Sequence, residues 1–313
     1  MNSERPSVLV TGANGFVGHH LSPVLVRDGW TVRRAVRRPF GNNTDAVIES
    51  ISPETDWKAA LAGVDAVVHL AARVHQRHDR SAEKLYRDVN TEGTLRLARC
   101  AIEAGVRKFI FVSTVLVHGR SNDGRAPFSE EDFLTPQGLY GLSKAEAETG
   151  LESLSNGSEM SITIVRPPLV YGSGAKGNFA SLVKAVRLGL PLPFAAVRNH
   201  RAFVSVENLA SFISHRLSHP AEKFDVFLVA DAEQVSTPEF IRRLAAAADT
   251  QARLFPMPAP LLSALLTMGG RPDARDSLIG SLQLNLSKAA SIGWQPRFTL
   301  DQGLRLALSA PTI

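Results

Sequence analysis

The chain has little cysteine and no long apolar run. Cys100 is its single cysteine among 313 residues, so an internal disulfide is excluded and a reducing compartment is indicated. The most apolar late stretch, residues 256–270, contains prolines and is too short to span a bilayer. It is interpreted as a buried or lid-forming helix. No signal-peptide pattern precedes the first aliphatic run, and we expect a cytoplasmic protein without a membrane span.

The charge balance is basic, with a formal net charge of +5 and a pI of about 9.6. The arginines are spread along the chain, and aromatic and basic residues do not alternate in any segment. This argues against a nucleic-acid-binding protein and favours anionic small molecules as partners. Hydrophobic residues make up 44% of the chain, which is enough for a sizeable core.

Short aliphatic runs alternate with amphipathic helical patterns through the first half of the chain. This alternation predicts an α/β fold with a doubly wound, parallel Rossmann sheet. Beyond residue 170 the pattern becomes irregular and rich in proline and helix. We therefore expect a dinucleotide-binding domain over residues 1–166 plus about 202–230. Residues 167–201 and 231–313 would form a smaller C-terminal substrate-binding lobe.

A glycine-rich turn follows the first aliphatic run, in the stretch VLVTGANGFVG. Gly12 would allow the tight turn, Gly15 the approach of a pyrophosphate, and Gly18 close packing of the helix on the strand. The helix would begin at Phe16 and Val17, with the phosphates at its positive end. The pattern predicts a dinucleotide site.

The second predicted strand ends in an arginine pair, Arg37 and Arg38, where NAD-binding chains commonly place an acid that binds the ribose hydroxyls. An arginine at this point can pair with a 2′-phosphate and stack on adenine. NADP(H) is therefore the favoured cofactor, and NAD(H) is the alternative.

Tyr140 and Lys144 stand four residues apart in the stretch GLYGLSKAEAE. In a helix both side chains lie on one face. The ammonium of Lys144 could bind the nicotinamide ribose and lower the pKa of the phenol. Tyr140 would then act as a general acid and base near neutral pH.

These motifs together resemble the extended short-chain dehydrogenases/reductases, the NAD-dependent epimerase/dehydratase family, over essentially the whole chain. The resemblance implies that Thr114, placed ahead of Gly119, is the catalytic hydroxyl, with Ser113 as the neighbouring candidate. It also implies that further residues line the cofactor, namely Leu70, Ala71, Ala72, Asn90 and Pro167.

The same resemblance implies a UDP-sugar substrate. Asn178 matches an asparagine that faces the pyrophosphate, Arg201 an arginine that meets a phosphate or the nucleotide ribose, and Arg275 a second phosphate contact. It also suggests a homodimer.

More narrowly, residues 55–75, 190–210 and 277–296 resemble the corresponding stretches of one subgroup. This subgroup comprises the bacterial polysaccharide-cluster reductases that act on UDP-4-keto-6-deoxy-N-acetylhexosamines. The main hypothesis is therefore hydride transfer to C4 of such a sugar. The sequence STVLVHGR differs from the subgroup beside the sugar, at Val115, Leu116, His118 and Arg120. Because of this difference, the sequence does not predict the identity of the sugar.

Three other functions are alternatives to reduction. Dehydration is disfavoured because Val115 and Leu116 stand where dehydratases carry acids. A UDP-hexose 4-epimerase with tightly bound NAD would use the same Thr114, Tyr140 and Lys144. A non-catalytic dinucleotide sensor commonly lacks the tyrosine or the lysine, and both are present here.

Four side chains of types that can bind metals occur close together in the sequence. Their spacing fits no standard zinc pattern, and no metal is expected; they are His69, His75, His78 and Asp79.

Overall fold

The computed structural model describes residues 5–38, 45–74, 82–268 and 276–309. Arg275, His75, His78 and Asp79 lie outside these ranges. The described residues divide into two compact units. The first comprises Met1–Val117, Phe133–Arg166 and Ala210–Phe227, and the second His118–Asp132, Pro167–Leu209 and Leu228–Ile313.

The first unit contains the sheet. Its strands are β1 (Ser7–Thr11), β2 (Thr31–Val36), β3 (Asp45–Val47), β4 (Ala66–His69), β5 (Lys108–Val112), β6 (Ser161–Arg166) and β9 (Phe224–Leu228). Within the described residues they form a seven-stranded sheet in the order β3-β2-β1-β4-β5-β6-β9. The pairs from β3 to β6 are parallel. The predicted doubly wound α/β fold is confirmed.

The helices of the first unit are α1 (Phe16–Arg27), α2 (Lys58–Leu61), α3 (Ala82–Tyr86), α4 (Gly93–Glu103) and α5 (Gly138–Asn156). A π-helical segment, Arg87–Glu92, joins α3 to α4 without a break. A 3₁₀ turn follows β5 over Val115–Val117. Helix α7 (Val206–Ser218) begins in the second unit and ends in the first.

The core of the first unit lies against the strands, whose side chains are buried in near-continuous aliphatic runs, as expected of a parallel sheet covered by helices. Its members come from neighbouring strands and helices, including Leu9, Val67, Phe109, Ile162, Leu97 and Leu151.

The second unit contains a short parallel pair, β7 (Leu169–Tyr171) and β8 (Phe203–Ser205). Its helices are α6 (Asn178–Arg187), α8 (Thr237–Ala247), α9 (Ala259–Met268), α10 (Ser287–Ser291) and α11 (Leu300–Ser309). Helix α8 begins with a capping contact, in which Ser236 Oγ accepts the N–H of Glu239 at 3.3 Å. Helix α9 covers residues 259–268 of the apolar stretch. In the described part of the chain, no helix has the length and hydropathy needed to cross a bilayer.

A buried carboxylate, Asp231, joins the elements of the second unit. It accepts hydrogen bonds from the Tyr171 hydroxyl at 2.7 Å, the Ser205 N–H at 3.0 Å and the Asn208 amide at 2.7 Å. Burial raises the pKa of this carboxyl. Asp231 thereby connects β7, β8 and the start of α7.

The unit boundary differs from the predicted domain division at residues 118–132, which were assigned to the dinucleotide-binding domain. The cause is hydrogen bonding to residues distant in sequence. The N–H of Asn122 donates to the Ser281 carbonyl at 3.0 Å, and that of Phe128 to the Gln283 carbonyl at 2.8 Å. Residues 202–209 likewise lie in the second unit.

Candidate active site

The glycine-rich turn has the geometry that its sequence predicts. Gly12 has a φ of +68°, and a Cβ there would lie 2.8 Å from the amide nitrogen of Ala71. A Cβ on Gly18 would lie 2.5 Å from the Cα of Ala13. Gly15 precedes α1 and donates its N–H to the Gly12 carbonyl at 2.8 Å. Only glycine fits at Gly12 and Gly18 without moving backbone, so the turn lies directly against the end of β4.

The strand register brings several predicted residues to one edge of the sheet. Thr11 of β1 pairs with His69 of β4, which pairs with Phe111 of β5. The residues that follow these strands therefore emerge side by side at the carboxyl end of the sheet. They include Gly12, the half-buried run Leu70–Ala72, and Thr114.

Asn90 binds the backbone of the residues that follow β4. It lies in the π-helical segment and is fully buried. Its Oδ1 accepts the Arg73 N–H at 2.7 Å, and its Nδ2 donates to the Arg73 carbonyl at 3.0 Å and to Ser143 Oγ at 3.0 Å. A π segment in an α-helix often marks a functional site. Here it fixes the backbone beside the predicted cofactor loop.

Thr114 directly precedes the 3₁₀ turn that follows β5. Its Oγ1 accepts the N–H of Leu116 at 3.3 Å. The neighbouring Ser113 is more deeply buried, with 3% of its surface exposed against 8% for Thr114. Among the described residues the Ser113 hydroxyl has no hydrogen-bond partner. Both hydroxyls are therefore largely buried, and Thr114 is slightly the more exposed of the two.

Helix α5 carries Tyr140 and Lys144 near its start, and its first turn packs against the Thr114 segment. A Cβ on Gly141 would lie 3.0 Å from the Leu116 carbonyl oxygen, so glycine permits this approach. Ser143 supports the same turn, because its hydroxyl donates to the Tyr140 carbonyl at 2.9 Å. Sequence reasoning missed Gly141 and Ser143, although both lie inside the quoted GLYGLSKAEAE motif.

Lys144 is buried, with 1% of its surface exposed. Its Nζ donates to the Val112 carbonyl at 2.8 Å and lies 4.1 Å from the centroid of the Phe111 ring. Burial lowers the pKa of this ammonium to about 7, while the charge of Glu148 opposes the shift. Glu148 is itself paired with Arg166 at 2.6 Å.

The predicted lowering of the Tyr140 pKa is not observed here. Burial, with a smaller contribution from Tyr86, raises the pKa of this phenol. The Lys144 ammonium is bound to the Val112 carbonyl, and burial lowers its own charge near neutral pH. Helical spacing does not report desolvation, which disfavours the charged form of the phenol as well as that of the ammonium.

His69 is fully buried, and both of its ring nitrogens have hydrogen-bond partners. Its Nδ1 lies 2.6 Å from Thr11 Oγ1 and its Nε2 lies 2.9 Å from Thr94 Oγ1. Burial, and then the charge of Lys144, lower the pKa of the imidazole to about 3. Both ring nitrogens are therefore engaged by threonines. The described residues contain no group of three or more potential metal ligands.

Arg37 and Arg38 follow the end of β2 and are exposed. The preceding Arg34 pairs through two nitrogens with Asp45 on β3, at 2.8 and 3.1 Å. Asp45 is thus paired with Arg34. Arg37 and Arg38 are the charged residues that directly follow β2.

Three predicted site residues lie in the second unit. Pro167 is buried, whereas Asn178 is exposed as the first residue of α6. Arg201 is 8% exposed, and its Nη1 donates to the carbonyls of Asp276 at 2.7 Å and Gly280 at 2.6 Å. Burial lowers the pKa of its guanidinium to about 10.

The chain is similar to known proteins over almost its whole length. A UDP-glucose 4-epimerase from Vibrio cholerae is 40% identical over 311 residues, covering 97% of this chain and 95% of the relative. An N-acetyl-alpha-D-glucosaminyl-diphospho-ditrans,octacis-undecaprenol 4-epimerase from Escherichia coli O157:H7 is 29% identical over 315 residues, covering 95% and 93%.

Among solved structures, the UDP-N-acetylglucosamine 4-epimerase from Bacillus cereus has a TM-score of 0.78 at 21% identity, covering 96% of this chain and 97% of its own. These three relatives carry epimerase names, and none of them is named as a 4-reductase. Residues 8–230 match the family described as the NAD dependent epimerase/dehydratase family. The chain is an enzyme of the NAD-dependent epimerase/dehydratase family.

Proposed function

We propose that this protein interconverts UDP-hexoses at C4 by reversible hydride transfer, and that it is therefore a UDP-sugar 4-epimerase. The observation that carries the proposal is the placement of Thr114, Tyr140 and Lys144 at the sheet edge that also carries the glycine-rich turn. The V. cholerae relative, a UDP-glucose 4-epimerase, supports the choice of epimerisation as the net reaction.

The glycine-rich turn fits a dinucleotide. The volume that side chains at Gly12 and Gly18 would fill is occupied by neighbouring backbone. The N–H groups at the start of α1 would bind the pyrophosphate at the positive end of the helix. A bound nicotinamide supplies an acceptor, and later a donor, for the C4 hydride.

Thr114 and Tyr140 would act on the C4 oxygen. Because Thr114 Oγ1 accepts the Leu116 N–H, its own proton is directed to another acceptor, and the sugar oxygen suits this role. Tyr140 would take the C4 hydroxyl proton as the ketone forms and return it afterwards. Lys144 would bind the ribose hydroxyls and bring positive charge close to the phenolate.

The UDP end would be bound by residues of the second unit. Asn178 is exposed at the start of α6, where the helix terminus favours a phosphate group. The two carbonyls that hold Arg201 Nη1 fix the plane of its guanidinium. A fixed guanidinium is well suited to a phosphate.

A second candidate function is reduction of a UDP-4-keto-6-deoxy-N-acetylhexosamine with NADPH. Two observations favour it. Arg37 and Arg38 are exposed after β2, where they could pair with a 2′-phosphate. The raised pKa of Tyr140 keeps its phenol protonated, which suits proton donation to a C4 alkoxide. Dehydration stays disfavoured, because Val115 and Leu116 carry no proton.

The test is a paired assay. Purified protein is incubated with UDP-glucose or UDP-N-acetylglucosamine and catalytic NAD, and C4 epimers are separated by chromatography. A parallel sample receives NADPH and a UDP-4-keto-6-deoxy-N-acetylhexosamine, and the absorbance of the reduced nicotinamide is followed. We expect epimer formation without net cofactor consumption.

The Tyr140→Phe variant is the control for both arms. It removes the phenolic proton and keeps the ring, so turnover should fall at least about a hundredfold. NADPH consumption in proportion to the keto sugar, without epimer formation, would replace epimerisation by reduction. Turnover that survives in Tyr140→Phe would remove the proposed site.

A further inference from the structure

A chain of hydrogen bonds with one fixed direction passes through His69. Thr94 Oγ1 donates its single proton to the Asn90 carbonyl at 2.7 Å. It must therefore accept from His69 Nε2, which lies 2.9 Å away. The proton of the neutral imidazole is thus on Nε2, and Nδ1 is an acceptor.

The direction continues on the other side of the ring. Thr11 Oγ1 lies 2.6 Å from His69 Nδ1 and donates to it, since Nδ1 has no proton to give. The same oxygen accepts the N–H of Ala71 at 3.3 Å. Ala71 belongs to the half-buried run after β4 that lies against Gly12. One end of the chain is therefore in the predicted cofactor loop.

The other end of this chain of hydrogen bonds reaches α5, the helix that carries Tyr140 and Lys144. Asn90, whose carbonyl receives the Thr94 proton, donates through its side chain to Ser143 Oγ at 3.0 Å. Ser143 donates in turn to the Tyr140 carbonyl at 2.9 Å. The same Asn90 side chain holds both backbone polar groups of Arg73. The loop after β4 and the first turn of α5 are thus joined through buried polar groups.

We infer that His69 is a positioning residue, which holds the cofactor loop after β4 and the first turn of α5 in register through the Thr11–His69–Thr94 chain. This inference rests on the proposed dinucleotide-dependent function. The ring lies between its two threonines and stacks on Phe111, with centroids 5.8 Å apart and an interplanar angle of 16°. Phe111 is also the ring over which the Lys144 ammonium lies. Rotation or protonation of the imidazole would disturb all three contacts.

The test interrupts the chain at Thr94, with a matched set of variants. Thr94→Val keeps the shape and removes the hydroxyl, whereas Thr94→Ser keeps the hydroxyl. Thr163→Val is the control, because Thr163 is also buried, with 3% exposure, but lies on β6. Dissociation constants for NADH and NADPH are measured by nicotinamide fluorescence, and kcat and KM with the UDP-hexose.

We expect Thr94→Val to weaken binding of the preferred dinucleotide at least about fivefold, because it removes two buried hydrogen bonds, to the Asn90 carbonyl and from His69 Nε2. Its kcat should fall more than its KM changes. Thr94→Ser should recover both values to within about twofold, and Thr163→Val should match the wild type. A purely structural role would lower the melting temperature of both valine variants and leave dinucleotide binding and kcat unchanged.

A second measurement examines the ring itself. Two-dimensional ¹⁵N NMR of the imidazoles, with His69→Gln to assign the signal, should show a neutral Nε2–H tautomer that does not titrate between about pH 5 and about pH 9. An Nδ1–H tautomer, or a titration in this range, would overturn the inference. So would wild-type dinucleotide affinity in Thr94→Val. If that variant does not fold, Thr11→Val interrupts the other side of the ring.

These readouts separate the two proposals. Tautomer and dinucleotide affinity do not depend on the identity of the sugar. Failure to epimerise UDP-hexoses would remove the proposed function while leaving the role of His69 measurable.

Discussion

The ammonium of Lys144 lies 4.1 Å from the centroid of the Phe111 ring, in the interior of the first unit. A cation in this position is stabilised by the face of the ring and by the Val112 carbonyl. Burial nevertheless lowers its pKa to about 7 from the ordinary 10.5. The protonation state of the lysine is therefore linked to folding.

The free energy of unfolding should depend on pH through Lys144. Between pH values of about 7 and 10.5 the unfolded chain binds this proton and the folded chain does not. Stability contributed by this site therefore rises with pH across that window. Relative to Lys144→Met, the wild type should gain roughly 1 kcal/mol or more between about pH 7 and about pH 9, in urea titrations. Lys58→Met removes an exposed lysine of the same unit and should show no such trend.

Gly12 and Gly29 form a matched pair for the dinucleotide turn. Both have a positive φ, +68° and +94°, but a Cβ would meet the Ala71 backbone only at Gly12 and nothing within 4 Å at Gly29. Gly29→Ala should lose about 1 kcal/mol of stability from backbone strain, and Gly12→Ala should lose more, because its methyl group also meets the Ala71 backbone. Gly12→Ala alone should also weaken dinucleotide binding at least about tenfold, because the cofactor turn must shift. Equal binding by the two variants, measured by calorimetry, would contradict this assignment.

Gly141 should control the distance between the first turn of α5 and the Thr114 segment. In Gly141→Ala the new methyl group meets the Leu116 carbonyl, a backbone atom that cannot rotate away. We expect a stability loss of about 1–3 kcal/mol and a larger loss in kcat than in dinucleotide affinity. Gly157→Ala, at the end of the same helix, has nothing within 4 Å of its Cβ and should keep the stability and the kcat of the wild type. An unchanged kcat in Gly141→Ala would separate the helix position from catalysis.

The arginine pair after β2 should decide the preference between NADPH and NADH. Arg37→Asp replaces a partner of the 2′-phosphate by a repelling charge. The NADPH dissociation constant should rise about tenfold or more, and NADH binding should improve or stay level. Arg99→Asp, which changes an exposed arginine on α4, is the charge-matched control. A parent protein that binds both dinucleotides equally would show that Arg37 and Arg38 do not select the cofactor.

Local spacing was enough to predict much of the first unit. The positions of Gly12 and Gly18 relative to an aliphatic run imply a strand, a turn and a helix, and the structure has these elements. The Tyr140 and Lys144 spacing likewise implies a shared helix face. Such predictions succeed because the interactions concerned join residues within one or two turns of each other.

Other features depend on partners far along the chain. The placement of residues 118–132 in the second unit follows from hydrogen bonds to residues 281–285. The carbonyl partners of Arg201, at Asp276 and Gly280, are equally remote. The raised pKa of Tyr140 results from packing around the phenol. No periodicity within a short window reports these contacts.

The π-helical segment Arg87–Glu92 makes the number of residues in this stretch as important as their identity. A π turn contains about one residue more than an α turn. The wide turn absorbs this residue, so deleting a single residue here would restore a regular α-helix with α3 and α4 in nearly the same rotation about the axis, and would change the direction only of the residues inside the segment. Asn90 would then point away from Arg73 and Ser143, although every remaining side chain would be chemically unchanged. The spacing of this helix is thus itself part of the site, and chains with one residue fewer at this point would need another way to hold the loop after β4.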